Sequence, residues 1–299
     1  MKKDHRENTV GPWAKVKLDL LEEYLEFYCT ALSKKNFTRV YIDAFAGAVE
    51  AKVRGSDVSS EASPFFDDLE ISEAQAEFIK GSPVRALDIT HRFHKYYFFD
   101  LDHIRAEAIQ SRTQGDNSVV VKVCDCNAEI QALTAFLTSP SVRGFAFLDP
   151  YGAHLEWKTL KALANTGNME VLINFPVAMA INRLITKSGD VPETWSAQLN
   201  NCFGTDEWRE IAYSREVSLF GVEPPRKKDR VPERLLGLYV NRLKELFDFV
   251  APPRLVRNTK NVPLYYLIWA GPNKLGYTGA SHIFKNLEKI RLKKKSTRS

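Results

Sequence analysis

The chain has 299 residues, 44% of them hydrophobic and 26% charged, which supplies a sizeable core and excludes disordered, collagen-like and disulfide-scaffold classes. Four scattered cysteines, Cys29, Cys124, Cys126 and Cys202, form neither a zinc nor a disulfide framework, so a reducing cytoplasm is the expected compartment. The formal charge is +5, yet residues 285–299 hold seven cations against Glu288, so the basicity belongs to that basic tail and the remainder is slightly acidic. No membrane span is expected: apolar runs such as 171–177 are too short, and no signal-peptide core follows Met1-Lys-Lys-Asp-His5.

In chain order, residues 13–32 read as an amphipathic helix, because Leu18, Leu21, Leu25 and Tyr28 recur at steps of three and four. A β-branched and aromatic run over 37–43 reads as a buried strand ending on Asp43. Residues 49–80 read as an insertion, rich in Ser, Asp and Glu, with an amphipathic piece near 71–79. Gly81-Ser82-Pro83 then supplies a turn, an N-cap and a first-turn proline for a helix reaching about residue 91.

From there strands at 96–100, 118–123, 144–148 and 170–175 alternate with helices at 103–113, 128–137 and 157–165. Continuously apolar strands such as 171–175 suit a parallel sheet covered on both faces. Helices follow at 178–186, 194–199, 207–213 and 232–249, and 178–230 is expected to form a helical cap broken by a basic loop at 224–230. Two final runs, 254–257 and 263–270, read as an antiparallel hairpin. The expectation is a single α/β, doubly wound, Rossmann-like methyltransferase domain with a mostly parallel sheet, a C-terminal antiparallel hairpin and helical insertions.

In such sheets ligands bind beyond the carboxyl ends of the strands, where strand order reverses. Four acids fall at such ends: Asp43 in Asp43-Ala-Phe-Ala-Gly47, Asp100 before Leu101-Asp102, Asp125 before Cys126-Asn127, and Asp149 in Asp149-Pro-Tyr-Gly152. A glycine turn lets backbone approach a ligand, a carboxylate after the second strand can accept both ribose hydroxyls, and a third can accept an adenine amine. Each acid alone reads equally as a helix N-cap or a solvated loop residue, and four in register favour the ligand reading. The histidines show no metal-ligand spacing, and no metal site is expected. Arg226, Lys227 and Lys228 in the basic loop, and Lys293, Lys294 and Lys295 in the tail, are the candidate phosphate contacts, with plain solvated cations as the competing reading.

The motifs Tyr41-Ile-Asp-Ala-Phe-Ala-Gly47, Gly81-Ser-Pro-Val-Arg-Ala-Leu87, Phe98-Phe-Asp-Leu-Asp102, Phe147-Leu-Asp-Pro-Tyr-Gly152 and Asn174-Phe-Pro176 resemble the three-Cys-motif partner protein family. The resemblance spans most of the chain, from the helix bearing Trp13 and Lys15 to Pro263-Leu-Tyr-Tyr-Leu-Ile268. It implies a likeness to S-adenosylmethionine-dependent methyltransferases, with S-adenosylmethionine as cofactor and the product of a neighbouring three-Cys-motif gene as a partner, while nucleic acid is the partner expected from the strand-end acids and the basic loop and tail. Carried over by position, it implies Asp43, Phe45, Ala46 and Gly47 at the methionine end of the cofactor, Asp100 at the ribose and Asp125 near adenine. Asp149-Pro-Tyr-Gly152 is similar to the Asp-Pro-Pro-Tyr motif of amino methyltransferases with one proline missing, which implies Asp149 as the acceptor for a target amine, Pro150 beside it and Tyr151 as the platform for a base, with a structural turn capping the helix near Trp157 as the competing reading.

One departure stands out. The family motif continues to a second glycine where this chain has Val49, so either a β-branched side chain crowds the cofactor or the turn is rebuilt through the insertion. Two functions from different classes follow: a methyltransferase acting on a nucleic-acid amine, or a non-catalytic Rossmann-like subunit that binds a partner or nucleic acid. A nicotinamide-dependent dehydrogenase is disfavoured, because no GxGxxG follows the first strand.

Overall fold

The computed structural model describes residues 9–53, 77–214, 217–218, 221–222 and 225–296. Its centre is an eight-stranded sheet. The strands are β1 Thr38–Asp43, β2 Lys95–Asp100, β3 Val119–Val123, β4 Val142–Leu148, β5 Met169–Phe175, β6 Phe249–Val250, β7 Arg254–Arg257 and β8 Pro263–Gly271. They lie in the order β6-β8-β5-β4-β1-β2-β3, with β7 also paired to β8. The ladders joining β1 to β5 are all parallel. Strand β8 runs antiparallel to β5 and forms the expected hairpin with β7. Strand order reverses at β1, which has β2 on one edge and β4 on the other.

Alternation along the strands divides the core. Val40 and Ile42 face a cluster that includes Leu160, Leu163, Trp208 and Leu235, whereas Tyr41, Phe145 and Phe147 face one that includes Leu21, Tyr24, Phe284 and Leu287. Both faces are thus covered, which explains why β5 is buried at all seven positions. Helices α1 Trp13–Leu32, α2 Ser82–Leu87 and α3 His103–Arg112 contribute to the aromatic side, and α4 Cys126–Leu137 and α5 Trp157–Asn165 to the other.

The cap expected over 178–230 is only partly helical. A π-helical turn Val177–Ile181 leads into α6 Asn182–Leu184, and α7 Glu193–Phe203 and α8 Trp208–Ala212 follow. Tyr213–Ser214 then pairs antiparallel with Arg226–Lys227, and Val217–Ser218 with Gly221–Val222. Helix α9, Val231–Leu246, returns the chain to the sheet.

Three expectations need correction. Of the amphipathic piece near 71–79, residues 71–76 lie outside the described residues, and Glu77–Lys80 is a strand that pairs with Glu50–Val53. Glu50–Val53 also pairs with Thr9–Val10, so the ends of the insertion and the start of the chain make a small separate sheet. The helix opened by Ser82 stops at Leu87 rather than near 91. The basic segment is not a loose tail, because α10, Lys274–Ser296, runs through it and packs against α1 with Ile283, Phe284 and Leu287 buried.

One buried acid joins these pieces. Glu170 on β5 accepts a hydrogen bond from the Tyr24 hydroxyl at 2.6 Å, and that hydroxyl also lies 3.3 Å from the Gly276 carbonyl oxygen in α10. Burial pushes Glu170 up to about 7, against the pull of the Tyr24 hydrogen bond. Because the folded value lies above the ordinary glutamate range, this group's contribution to stability is full at acid pH and is lost as pH rises through 7. Glu170→Gln should therefore stabilise the protein at pH 8 by about 1–3 kcal/mol relative to its effect at pH 5, read as the difference in urea unfolding free energy.

Candidate functional site

The ladder around β1 continues past the strand itself. Ala44 N–H donates to the Phe147 carbonyl at 3.0 Å, and Ala46 N–H to the Phe99 carbonyl at 2.8 Å, so the turn after Asp43 is held between β4 and β2. Gly47 follows with φ +67°, a region that a side chain strains, and its N–H donates to Asp100 Oδ2 at 2.8 Å. Arg105 Nη1 stands 4.0 Å from the same oxygen, and the other Asp100 oxygen, Oδ1, accepts from Asp102 N–H at 2.8 Å. Asp100 thereby ties the end of β2 to the glycine turn, with one acceptor direction still open on each oxygen.

Asp43 is fully buried at the switch point. The Tyr41 hydroxyl donates to its Oδ2 at 3.2 Å, while Oδ1 has no hydrogen-bond partner. Burial pushes this carboxyl up to about 7, with Ser82 and Tyr41 opposing the shift and the charges of Asp149 and Asp100 adding to it. A buried carboxylate oxygen without a donor is costly, and it marks a place for a cationic or hydrogen-bonding ligand.

Asp149 lies one residue beyond β4 and is engaged on both oxygens. Asn174 Nδ2, from β5, donates to Oδ1 at 2.5 Å, and Lys17 Nζ, from α1, forms an ion pair with Oδ2. The Lys17 ammonium also lies 5.7 Å from the centroid of the Tyr265 ring. Pro150 is buried, and Tyr151 is 67% exposed beside it.

The remaining acid is a cap. Asp125 is exposed and accepts from Asn127 N–H at 2.9 Å at the start of α4, as the N-cap reading of that position foresaw. Asn127 in turn donates to the His154 carbonyl at 3.0 Å and accepts from Glu156 N–H at 3.1 Å, which fastens this corner to the loop after β4. Asp102 caps α3 in the same way.

Val49 does not take a positive φ, since the non-glycine residues that do among those described are Arg230 and Asn261. Its side chain packs against the aromatic-side core, and its carbonyl accepts from Gly81 N–H at 2.8 Å. The close approach is made by Gly81 instead, where a Cβ would lie 1.9 Å from the Ala48 carbonyl oxygen. The pairing of Glu50–Val53 with Glu77–Lys80 closes this turn from the insertion side.

The structure thus joins Asp43, Phe45, Ala46, Gly47, Asp100 and Asp149 at one end of the sheet, with Asp125 at its flank. It places the basic residues elsewhere. Lys227 Nζ donates to the carbonyls of Asn182 and Ile185 at 3.0 and 2.7 Å, and Lys228 Nζ to that of Glu210 at 2.6 Å, so both ammonium groups serve the fold of the cap. Arg226 lies in the short strand paired with Ser214. Lys293, Lys294 and Lys295 belong to α10, and their side chains lie outside the described residues.

Sequence reasoning missed Lys17 and Asn174 as partners of Asp149. It also passed over Leu101, Ile104 and Val123, which are 76%, 62% and 55% exposed around Asp100 and Asp125. Exposed apolar residues next to paired acids were legible from the Asp100-Leu101-Asp102 motif, whereas Lys17 acts across 132 residues with no local signal.

No family model matches the chain, and no curated protein matches it. Among solved structures, protein LPL1258 from Legionella pneumophila str. Philadelphia 1 aligns over 90% of this chain and 91% of its own, at 13% identity and a TM-score of 0.51. That is a likeness of fold. A provisionally assigned S-adenosylmethionine-dependent methyltransferase from Listeria monocytogenes aligns over 85% of this chain and 99% of its own, at 11% identity and a TM-score of 0.38. The provisionally assigned methyltransferase yhhF from Escherichia coli covers 84% of this chain and 86% of its own, at 10% identity and a TM-score of 0.32. These two scores are too low to bear on function.

Gly47→Ala should cost about 1–2 kcal/mol of stability through its left-handed backbone, measured by urea unfolding. Ser33→Ala, on an exposed hydroxyl after α1, should cost less than about 0.5 kcal/mol in the same assay.

Proposed function

We propose that the chain is an S-adenosylmethionine-dependent methyltransferase acting on an amine nitrogen, that nucleic acid is its substrate class, and that it belongs to the three-Cys-motif partner family. The observation that supports this reading most is the meeting of Asp43, Gly47 and Asp100 at the switch point with Asp149 alongside. The unpartnered Asp43 oxygen and the glycine turn fit a ligand that brings hydrogen-bond donors and positive charge. Bound there, S-adenosylmethionine supplies an electrophilic methyl group on a sulfonium centre.

The chain's own residues divide the work. Asp43 would hold the cationic amino-acid end, and Asp100 would use its open lone pairs for the ribose hydroxyls while its others keep Gly47 in place. Leu101 and Ile104 offer apolar walls for adenine, with Asp125 at the rim. Asp149, oriented by Asn174, would align the acceptor amine, and Tyr151 would stack on its base. Positioning supplies much of the rate in such a transfer. For nucleic acid, the support is the cation-rich 285–299 segment, because the ammonium groups of Lys227 and Lys228 are committed to main-chain carbonyls.

One observation favours the second reading, a non-catalytic Rossmann-like subunit. The Asp149 carboxylate is already neutralised by Lys17. Calorimetry separates the two at the first step: the enzyme reading expects S-adenosylhomocysteine and S-adenosylmethionine to bind, and no heat at millimolar ligand removes it. Asp100→Ala should weaken binding by about 1.5–3 kcal/mol, and an unchanged dissociation constant would place the ribose elsewhere.

A pH series adds an independent check. A cation held by Asp43 favours its ionised form, so affinity for S-adenosylmethionine should rise as pH passes through 7 and then level off. Asp43→Asn should flatten that rise.

A further inference from the structure

The position where this site would align a target amine already holds one. Lys17 reaches from α1 to pair with Asp149 Oδ2, Asn174 fixes the opposite oxygen, and the Tyr265 ring lies against the ammonium group. The Tyr265 hydroxyl donates to the Trp13 carbonyl at 3.0 Å, so the ring is anchored to the same helix that carries the lysine. The Lys17 side chain is 15% exposed, held in the site rather than extended into solvent. Asp149 follows β4, whose Phe147 pairs with Asp43 of β1, so Lys17 is drawn to the end of the sheet where β1 finishes.

We propose that Lys17 Nζ is a methyl acceptor of this site, so that the protein methylates its own first helix. The inference rests on the methyltransferase reading above. Nζ first loses one proton, passed by way of the Asp149 carboxylate to water. Its freed lone pair then forms a bond to the sulfonium methyl carbon of S-adenosylmethionine, while the carbon–sulfur bond breaks and leaves its electron pair on sulfur. The products are S-adenosylhomocysteine and a monomethyl-lysine formed directly as its cation, because the sulfonium's positive charge passes to nitrogen with the methyl group and the released proton stays in water. No oxidant or reductant enters the balance.

The surroundings suit the product as well as the starting amine. A methylated ammonium keeps its charge for Asp149, retains N–H donors for the ion pair, and gains apolar surface to set against the Tyr265 ring. Holding the nitrogen in this way raises its effective concentration at the site far above that of a lysine free in solution.

The test uses the full chain, both as isolated from cells and after incubation with S-adenosylmethionine at mildly alkaline pH. Peptide mapping by mass spectrometry locates methyl groups, and calorimetry with S-adenosylhomocysteine runs in parallel. The expected result is one methyl increment at Lys17, at least about tenfold above Lys15 on the same helix. Asp149→Asn, checked for its fold by circular dichroism, should lose the mark, and Lys17→Arg should leave no other lysine modified in its place. A mark on the protein as isolated reads the modification without relying on turnover in the test tube. If S-adenosylhomocysteine binds while Lys17 stays bare in both preparations, or if methyl groups spread evenly over the lysines, the proposal is overturned and the methyltransferase reading survives. If S-adenosylhomocysteine does not bind, both fall together.

Discussion

Strand β1 is hydrogen-bonded on both edges, and that pairing continues beyond Asp43 through the amides of Ala44 and Ala46. Parallel neighbours must end at the same side of the sheet, so whatever follows β1, β2 and β4 is delivered to one place. The acids after these strands meet for that reason. The side chains then refine what the ladder has assembled: Asp100 closes the glycine turn, and Asn174 orients Asp149 from β5.

The assembly carries an electrostatic cost. Asp43, Asp100 and Asp149 approach one another where water is largely excluded, and Asp43 meets this by rising toward neutrality. Asp149 meets it with Lys17. This end of the sheet also holds the positive φ of Gly47 and unpartnered side-chain oxygens of Asp43 and Asn174. Such features are tolerated where binding needs them and the surrounding core is well packed. Here that support includes the aromatic layer, in which the Tyr41 and Phe145 rings stack at 6.4 Å.

How much of this was written in the sequence depends on the range of the signal. The periodicity from Leu18 to Tyr28 located α1 at both its ends, and apolar runs located the five parallel strands to within two residues. The acids followed from those strand ends. Short pieces held only by tertiary contacts did not: Phe249–Val250 is a two-residue strand, and the π-helical turn after Pro176 has no pattern of its own. The C-terminal helix was hidden by its charge, although Ala280, Ile283, Phe284 and Leu287 recur at helical steps beneath the lysines. Lys17 looked like an ordinary polar-face residue because its partner lies 132 residues further along the chain.

The Tyr24 hydroxyl, shared between Glu170 and the first turn of α10, welds the opening and closing helices into one lever. One arm of that lever ends in the cation-rich stretch and the other bears Lys17. A displacement of α10 is therefore passed through Tyr24 to the helix that carries Lys17 and to β5 together.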